Sequence, residues 1–122
     1  MNKILHFTDL IVWQKGHKLV IQVYFCVEKF PEHERFGLSS QLSRSVVSVT
    51  SNIAEGFGRR TKREKVRYYD IALGSLYEVQ NQLLVAKDVH YISEQEFQKT
   101  NELAKEVEKL LNSIIISIKK RS

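Results

Sequence analysis

The chain has 122 residues, 43% of them hydrophobic and 27% charged, which is enough for one domain with its own core and too few for two. One proline and five glycines leave too little turn chemistry for a fold of many short strands, so helices are expected before any periodicity is counted. Nineteen Lys and Arg against fourteen Asp and Glu give a formal charge of +5 and a pI near 9.4, a balance that suits nucleic acid or an anionic membrane surface without choosing between them.

The N-terminal string MNKILHFTDL reaches Asp9 without an apolar core or small cleavage-site residues, so no secretory signal is expected. Lys15, Lys18, Glu28, Lys29 and Arg44 interrupt the most hydrophobic region well short of the roughly 18 apolar residues of a membrane span. A soluble cytoplasmic protein with no membrane partner is expected.

The first helix is predicted over residues 8–30. Trp13, Val20, Val23, Val27 and Phe30 recur at helical spacings, Ile11, Leu19, Tyr24 and Phe25 broaden the stripe, Thr8 or Asp9 caps its start, and Pro31 ends it. The acidic PEHE stretch is then a connector. Over residues 38–55 a second helix places Leu38, Leu42, Val46, Val49 and Ile53 on one face, with many small side chains on the others. SVVSVTS also alternates locally as a strand does, but the longer window is helical. Gly56 and Gly58 offer places for this helix to stop.

Thr61 and Glu64 have the spacing of a capping box, which starts a third helix over residues 62–87. Val66, Tyr69, Leu73, Leu76 and Leu83 form its stripe, and Gly74 at mid-helix predicts close packing against a neighbour. Ser93 and Glu96 form a second capping box, flanked by Ile92 and Phe97 in hydrophobic-staple positions, so the fourth helix covers residues 94–119. Four helices with short connections predict an all-α, antiparallel up-down-up-down four-helix bundle in a single domain. Trp13, Phe25, Tyr69, Tyr77 and Ile115 add apolar surface beyond one core stripe per helix, from which a homo-oligomer is expected.

The sharpest charge concentration is RRTKREKVR at residues 59–67, where Arg59, Arg60, Lys62, Arg63, Lys65 and Arg67 face one acid, Glu64. Such a row at a helix start can meet the phosphates of a nucleic acid, and the adjacent Tyr68 and Tyr69 offer rings for unpaired bases or simply fill the core. Cations at a helix N-terminus oppose the helix dipole, which argues that they have another use. Lys119, Lys120 and Arg121 at the end of the fourth helix complement its dipole; in an antiparallel bundle they lie at the same end as the first cluster.

The inventory for catalysis is thin. His6, His17, His33 and His90 lack metal-ligand spacing, Cys26 sits in the apolar part of the first helix, and no glycine-rich phosphate loop or nucleophile elbow occurs. With a single cysteine there is no intrachain disulfide, and no enzyme, metal or cofactor is expected.

At SNIAEGFGR, from Ser51, the chain resembles the bacterial 23S rRNA intervening-sequence proteins, also labelled ribosomal protein S23-like. FTDLIVWQKGHKL from Phe7, FPEHERFGLSSQLSRSVVSVTSNIAEG from Phe30 and IALGSLYEVQNQL from Ile71 fall in that family's order and spacing. The resemblance implies a four-helix bundle assembling into a ring, a pentamer, encoded in some bacteria within insertions in large-subunit rRNA genes. It extends distantly to accessory variability proteins of retroelements, basic bundle rings that bind nucleic acid and a reverse transcriptase. Asn52, Glu55 and Gly56, with Arg59, match the signature; Asn52 and Glu55 are expected to satisfy backbone and arginine partners at the corner between the second and third helices. Gly16 stands where alanine is common in the family.

Two functions are expected to compete. One is a non-enzymatic ring that binds RNA or DNA through Arg59, Arg60, Lys62, Arg63, Lys65, Arg67, Lys119 and Lys120, with repeated subunits adding avidity. The other is an oligomeric adaptor whose surface docks a protein partner, for instance a polymerase, with the positive charge only assisting encounter.

Overall fold

A computed structural model describes residues 3–121 and contains four helices: α1 (Ile11–Val27), α2 (Leu38–Gly58), α3 (Lys62–Asp88) and α4 (Glu94–Lys120). Short 3-10 turns cover Phe7–Asp9 and Glu32–Glu34, and no strand occurs among the described residues. SVVSVTS is helical throughout.

Chain length dictates the topology. α3 and α4 are 27 residues each, about 40 Å at 1.5 Å per residue. The three residues joining α2 to α3 reach only about 10 Å, so these helices must run antiparallel. Cross-helix bonds give the register: Ser45 donates to Glu78 at 3.3 Å and Ser48 meets Ser75 at 2.8 Å between α2 and α3. Between α1 and α4, Lys15 pairs with Glu106, Gln22 donates to Thr100, and Lys29, just past α1, pairs with Glu96. Partner numbers fall as residue numbers rise, the signature of antiparallel helices. Each helix packs on its sequence neighbours, and α1 closes the arrangement against α4.

The core is the meeting of four stripes, with Leu19, Leu42, Ile53, Leu76, Leu83 and Leu111 fully enclosed. Each such side chain contributes about 1.5–3 kcal/mol of transfer free energy. α4 begins with the complete capping box: Ser93 Oγ accepts the Glu96 amide at 3.1 Å and Glu96 Oε1 accepts the Ser93 amide at 3.3 Å. Ile92 and Phe97 are both buried in the core.

Several local expectations are corrected. Thr8 and Asp9 do not cap α1; they form the preceding 3-10 turn, where the Asp9 carboxylate accepts the amides of Leu5 and His6, and Leu10 enters α1 without a side-chain cap. α1 ends at Val27, before Pro31, because the chain tightens into short-range turns that swing Phe30 into the core. Its buried face is Val12, Gly16, Leu19, Val23 and Cys26, rotated from the expected stripe, with Ile11, Tyr24 and Phe25 exposed. Gly16 contributes to this: a Cβ there would lie 3.0 Å from Thr50 Cγ2, so α2 approaches closely at a residue that carries no apolar side chain to count. α2 runs past residue 55 and through Gly56 but does end at Gly58, one of the two expected stopping places, with neither glycine in a left-handed conformation. Gly74 has open space beside it, and the close approach falls on its neighbour Ser75. Of the residues thought to lie off the core stripes, Tyr69 and Ile115 are buried, Trp13 packs partly, and Phe25 and Tyr77 remain exposed.

Candidate functional site

The corner between α2 and α3 is built from backbone requirements upward. Thr61 Oγ1 accepts the Glu64 amide at 3.2 Å and starts α3, while its hydroxyl faces the Glu64 carboxylate at 3.3 Å. The last carbonyls of α2 lack helical partners. Lys65 supplies them, its ammonium donating to Gly56 O at 3.2 Å and Phe57 O at 2.8 Å. Burial, with Arg121 nearby, pushes the Lys65 pKa below its ordinary value. Gly56 is required here for packing: a Cβ would lie 2.6 Å from Tyr69 Cε1, inside the ring's contact distance.

Arg59 is also engaged within the chain. Its guanidinium pairs with Glu55 one turn back and lies 4.7 Å from the centre of the Tyr68 ring, and the Glu55 bond raises its already high pKa. Asn52 donates to Ser48 O at 2.8 Å and to Ser48 Oγ at 3.1 Å, the same hydroxyl that meets Ser75. Asn52, Glu55 and Gly56 thus all serve the packing of α2 and the corner after it.

The remaining cations behave differently. Arg60, Arg63 and Arg67 are exposed and make no hydrogen bond or ion pair among the described residues, and the same holds for Lys119 and Lys120. Antiparallel packing sets the start of α3 beside the end of α4, where Lys62, Arg63, Lys119 and Arg121 rim a cleft of about 330 Å³ floored by Val66 and Ile118. Among the described residues no carboxylate lines it. A second groove, of about 470 Å³, brings Arg121 and Lys65 together over Tyr69 and Leu110. Exposed cations mounted on rigid rods, such as Arg63 and Lys119 here, attract anions and release counterions when one binds.

Sequence reasoning grouped Lys119 and Lys120 with the first cluster from topology, and the structure brings them to the same end. It missed the apolar floor, because Val66 and Ile118 are distant in sequence and each reads as core. The tyrosines divide: Tyr69 is in the core at 4% exposure and Tyr68 lies under Arg59.

Elsewhere the reactive side chains are dispersed. Cys26 is buried, with Sγ 3.5 Å from Thr100 Oγ1. His33 lies 3.4 Å from the Tyr91 hydroxyl, which donates to Glu34 at 2.8 Å. Among the described residues no three His, Cys, Asp or Glu side chains gather where they could hold a metal ion, and no helix is long and apolar enough to cross a membrane.

Residues 8–113 match the family model described as 23S rRNA-intervening sequence protein. A crystal structure from Bacteroides thetaiotaomicron, described as a protein with unknown function from the S23 ribosomal protein family, is 25% identical and superposes with a TM-score of 0.81. The match covers 86% of this chain and 98% of that one. No curated protein matches.

Proposed function

The chain belongs to the 23S rRNA-intervening sequence protein family, and from that premise we propose that it is a non-enzymatic, oligomeric, cytoplasmic protein that binds the backbone of RNA or DNA through the basic end of its bundle. The observation that carries the reading is the set of cations left over once the fold has used what it needs. Arg59 and Lys65 complete the α2–α3 corner, whereas Arg60, Arg63, Arg67, Lys119 and Lys120 face solvent, with Arg63 and Lys119 bordering a cleft that no carboxylate lines among the described residues. Arg60 and Arg63 flank the positive end of the α3 dipole, a position that helix stability does not favour and phosphate binding does.

Several copies would repeat this end and add avidity to contacts that are weak one at a time. The exposed Ile21, Tyr24, Phe25 and Val47 support assembly, since such side chains gain by burial against another copy. Light scattering at micromolar concentration is expected to show more than one subunit; a strict monomer removes this part of the proposal.

The binding test is a gel-shift series with the wild-type protein and the triple variant Arg60→Glu, Arg63→Glu, Arg67→Glu. The variant is expected to weaken every complex more than tenfold, regardless of base sequence, and wild-type affinity is expected to fall steeply with salt. Affinity indifferent to both salt and substitution overturns the reading.

A further inference from the structure

Resting on that reading, we infer that the basic end takes a double helix, gripping phosphates on both strands, and not a single strand held by stacked bases. The argument turns on what has happened to the aromatic rings. Proteins that hold single strands combine a basic track with open aromatic planes on which successive bases stack. The basic end has four rings within reach, and each is already engaged. Tyr69 is buried with its edge against the Gly56 backbone. Tyr68 is covered by the Arg59 guanidinium, which Glu55 holds in place. Phe57 has the Lys65 ammonium 5.7 Å from its centre, fixed by the two carbonyls that Lys65 also bonds. Phe7 packs against His6 and Trp13, at 4.2 and 5.4 Å between ring centres.

What remains are point charges on long, flexible stems, Arg60, Arg63 and Arg67 at the start of α3 and Lys119 and Lys120 at the end of α4, with Arg63 and Lys119 bordering the same cleft. The floor of that cleft, Val66 and Ile118, offers no polar side chain to read a base edge. Two cationic ridges with an apolar trough between them match two phosphate rows better than one. Duplex DNA carries one charge per about 1.7 Å of axis, against about 3.4 Å for each strand, and each neutralised phosphate contributes a salt slope of about 0.9 in duplex against about 0.7 in a single strand. The five solvent-facing cations, Arg60, Arg63, Arg67, Lys119 and Lys120, therefore gain more from a duplex.

The test is fluorescence anisotropy with a labelled strand of about 20 nucleotides, alone and annealed as a DNA duplex or an RNA duplex, over a salt series. Either duplex is expected to bind at least tenfold more tightly than the strand, with a log–log salt slope of about 4 or more. The two duplex arms distinguish DNA from RNA as the source of the phosphates. Tyr68→Leu is expected to leave duplex affinity within twofold. Equal or tighter binding of the single strand overturns the duplex assignment while leaving the nucleic-acid reading intact, as does a Tyr68→Leu variant that loses only single-strand binding. Binding of neither form at low salt overturns the reading underneath.

Discussion

The two ends of the bundle carry opposite charge and use it differently. At the end where α1 gives way to α2 and α3 to α4, carboxylates complete the fold. Glu34 accepts the Leu38 amide at the start of α2 and the Tyr91 hydroxyl from the α3–α4 connection; Glu96 closes the Ser93 capping box and pairs with Lys29. At the other end the start of α3 carries cations against its dipole; Lys65 and Arg59 are engaged by the α2–α3 corner, whereas Arg60, Arg63, Arg67, Lys119 and Lys120 face water. Charge at the first end follows from helix termination, and the fold alone explains it. Charge at the second exceeds what termination needs, and that excess is what supports the proposal of a binding surface there.

The sharpest way to break the comparison is to disturb the corner on which the basic end is mounted. Gly56→Val places a side chain where only Tyr69 fits, and is expected to cost about 1–3 kcal/mol in thermal or urea unfolding. A Tyr69→Leu background should recover part of that loss; full independence of the two substitutions would show that the ring contact does not set the corner. At the acidic end, Ser93→Ala removes a complete capping box and is expected to cost about 1 kcal/mol. If it costs nothing, the carboxylates there are not structural and the contrast between the ends collapses.

Arg63→Glu sharpens the contrast from the other side. It exchanges a cation for an anion in the first turn of α3, so stability is expected to hold or rise by about 0.3–1 kcal/mol while binding falls. A marked drop in melting temperature would mean that Arg63 belongs to the fold. The smallest effect is expected at Glu34, whose carboxyl is held below its ordinary value of 4.5 first by the Leu38 amide and then by Tyr91. A depressed carboxylate contributes stability that is fully present above pH 4.5 and lost as pH falls through its lowered value. Glu34→Gln should flatten that part of the acid unfolding curve, and an unchanged curve would remove Glu34 from the account.

The helices were legible because their signals are local. Ser93 with Glu96 and Thr61 with Glu64 mark two helix starts within one turn of chain, and the Leu42–Val46–Val49–Ile53 spacing holds α2 against the strand-like alternation inside it. Glycine was less legible, because its meaning depends on what lies opposite. Gly16 and Gly56 mark close approaches to Thr50 and Tyr69, while Gly74, which looked the same in sequence, faces nothing. The α1 stripe was misplaced partly for that reason: its centre is a residue without a side chain. At the basic end all the cations were visible, yet no local pattern separates Lys65, bonded to two carbonyls, from Arg63, which faces water.

Composition, periodicity and caps by themselves determined four helices, their order and, through the short connections, their alternating direction, because each depends on residues within a few turns of one another. Only tertiary packing decided which cations the fold consumes and which it leaves to solvent, and whether the tyrosines beside them stay open. Those outcomes depend on carbonyls, rings and backbones brought together from separate helices, at distances that sequence spacing does not encode.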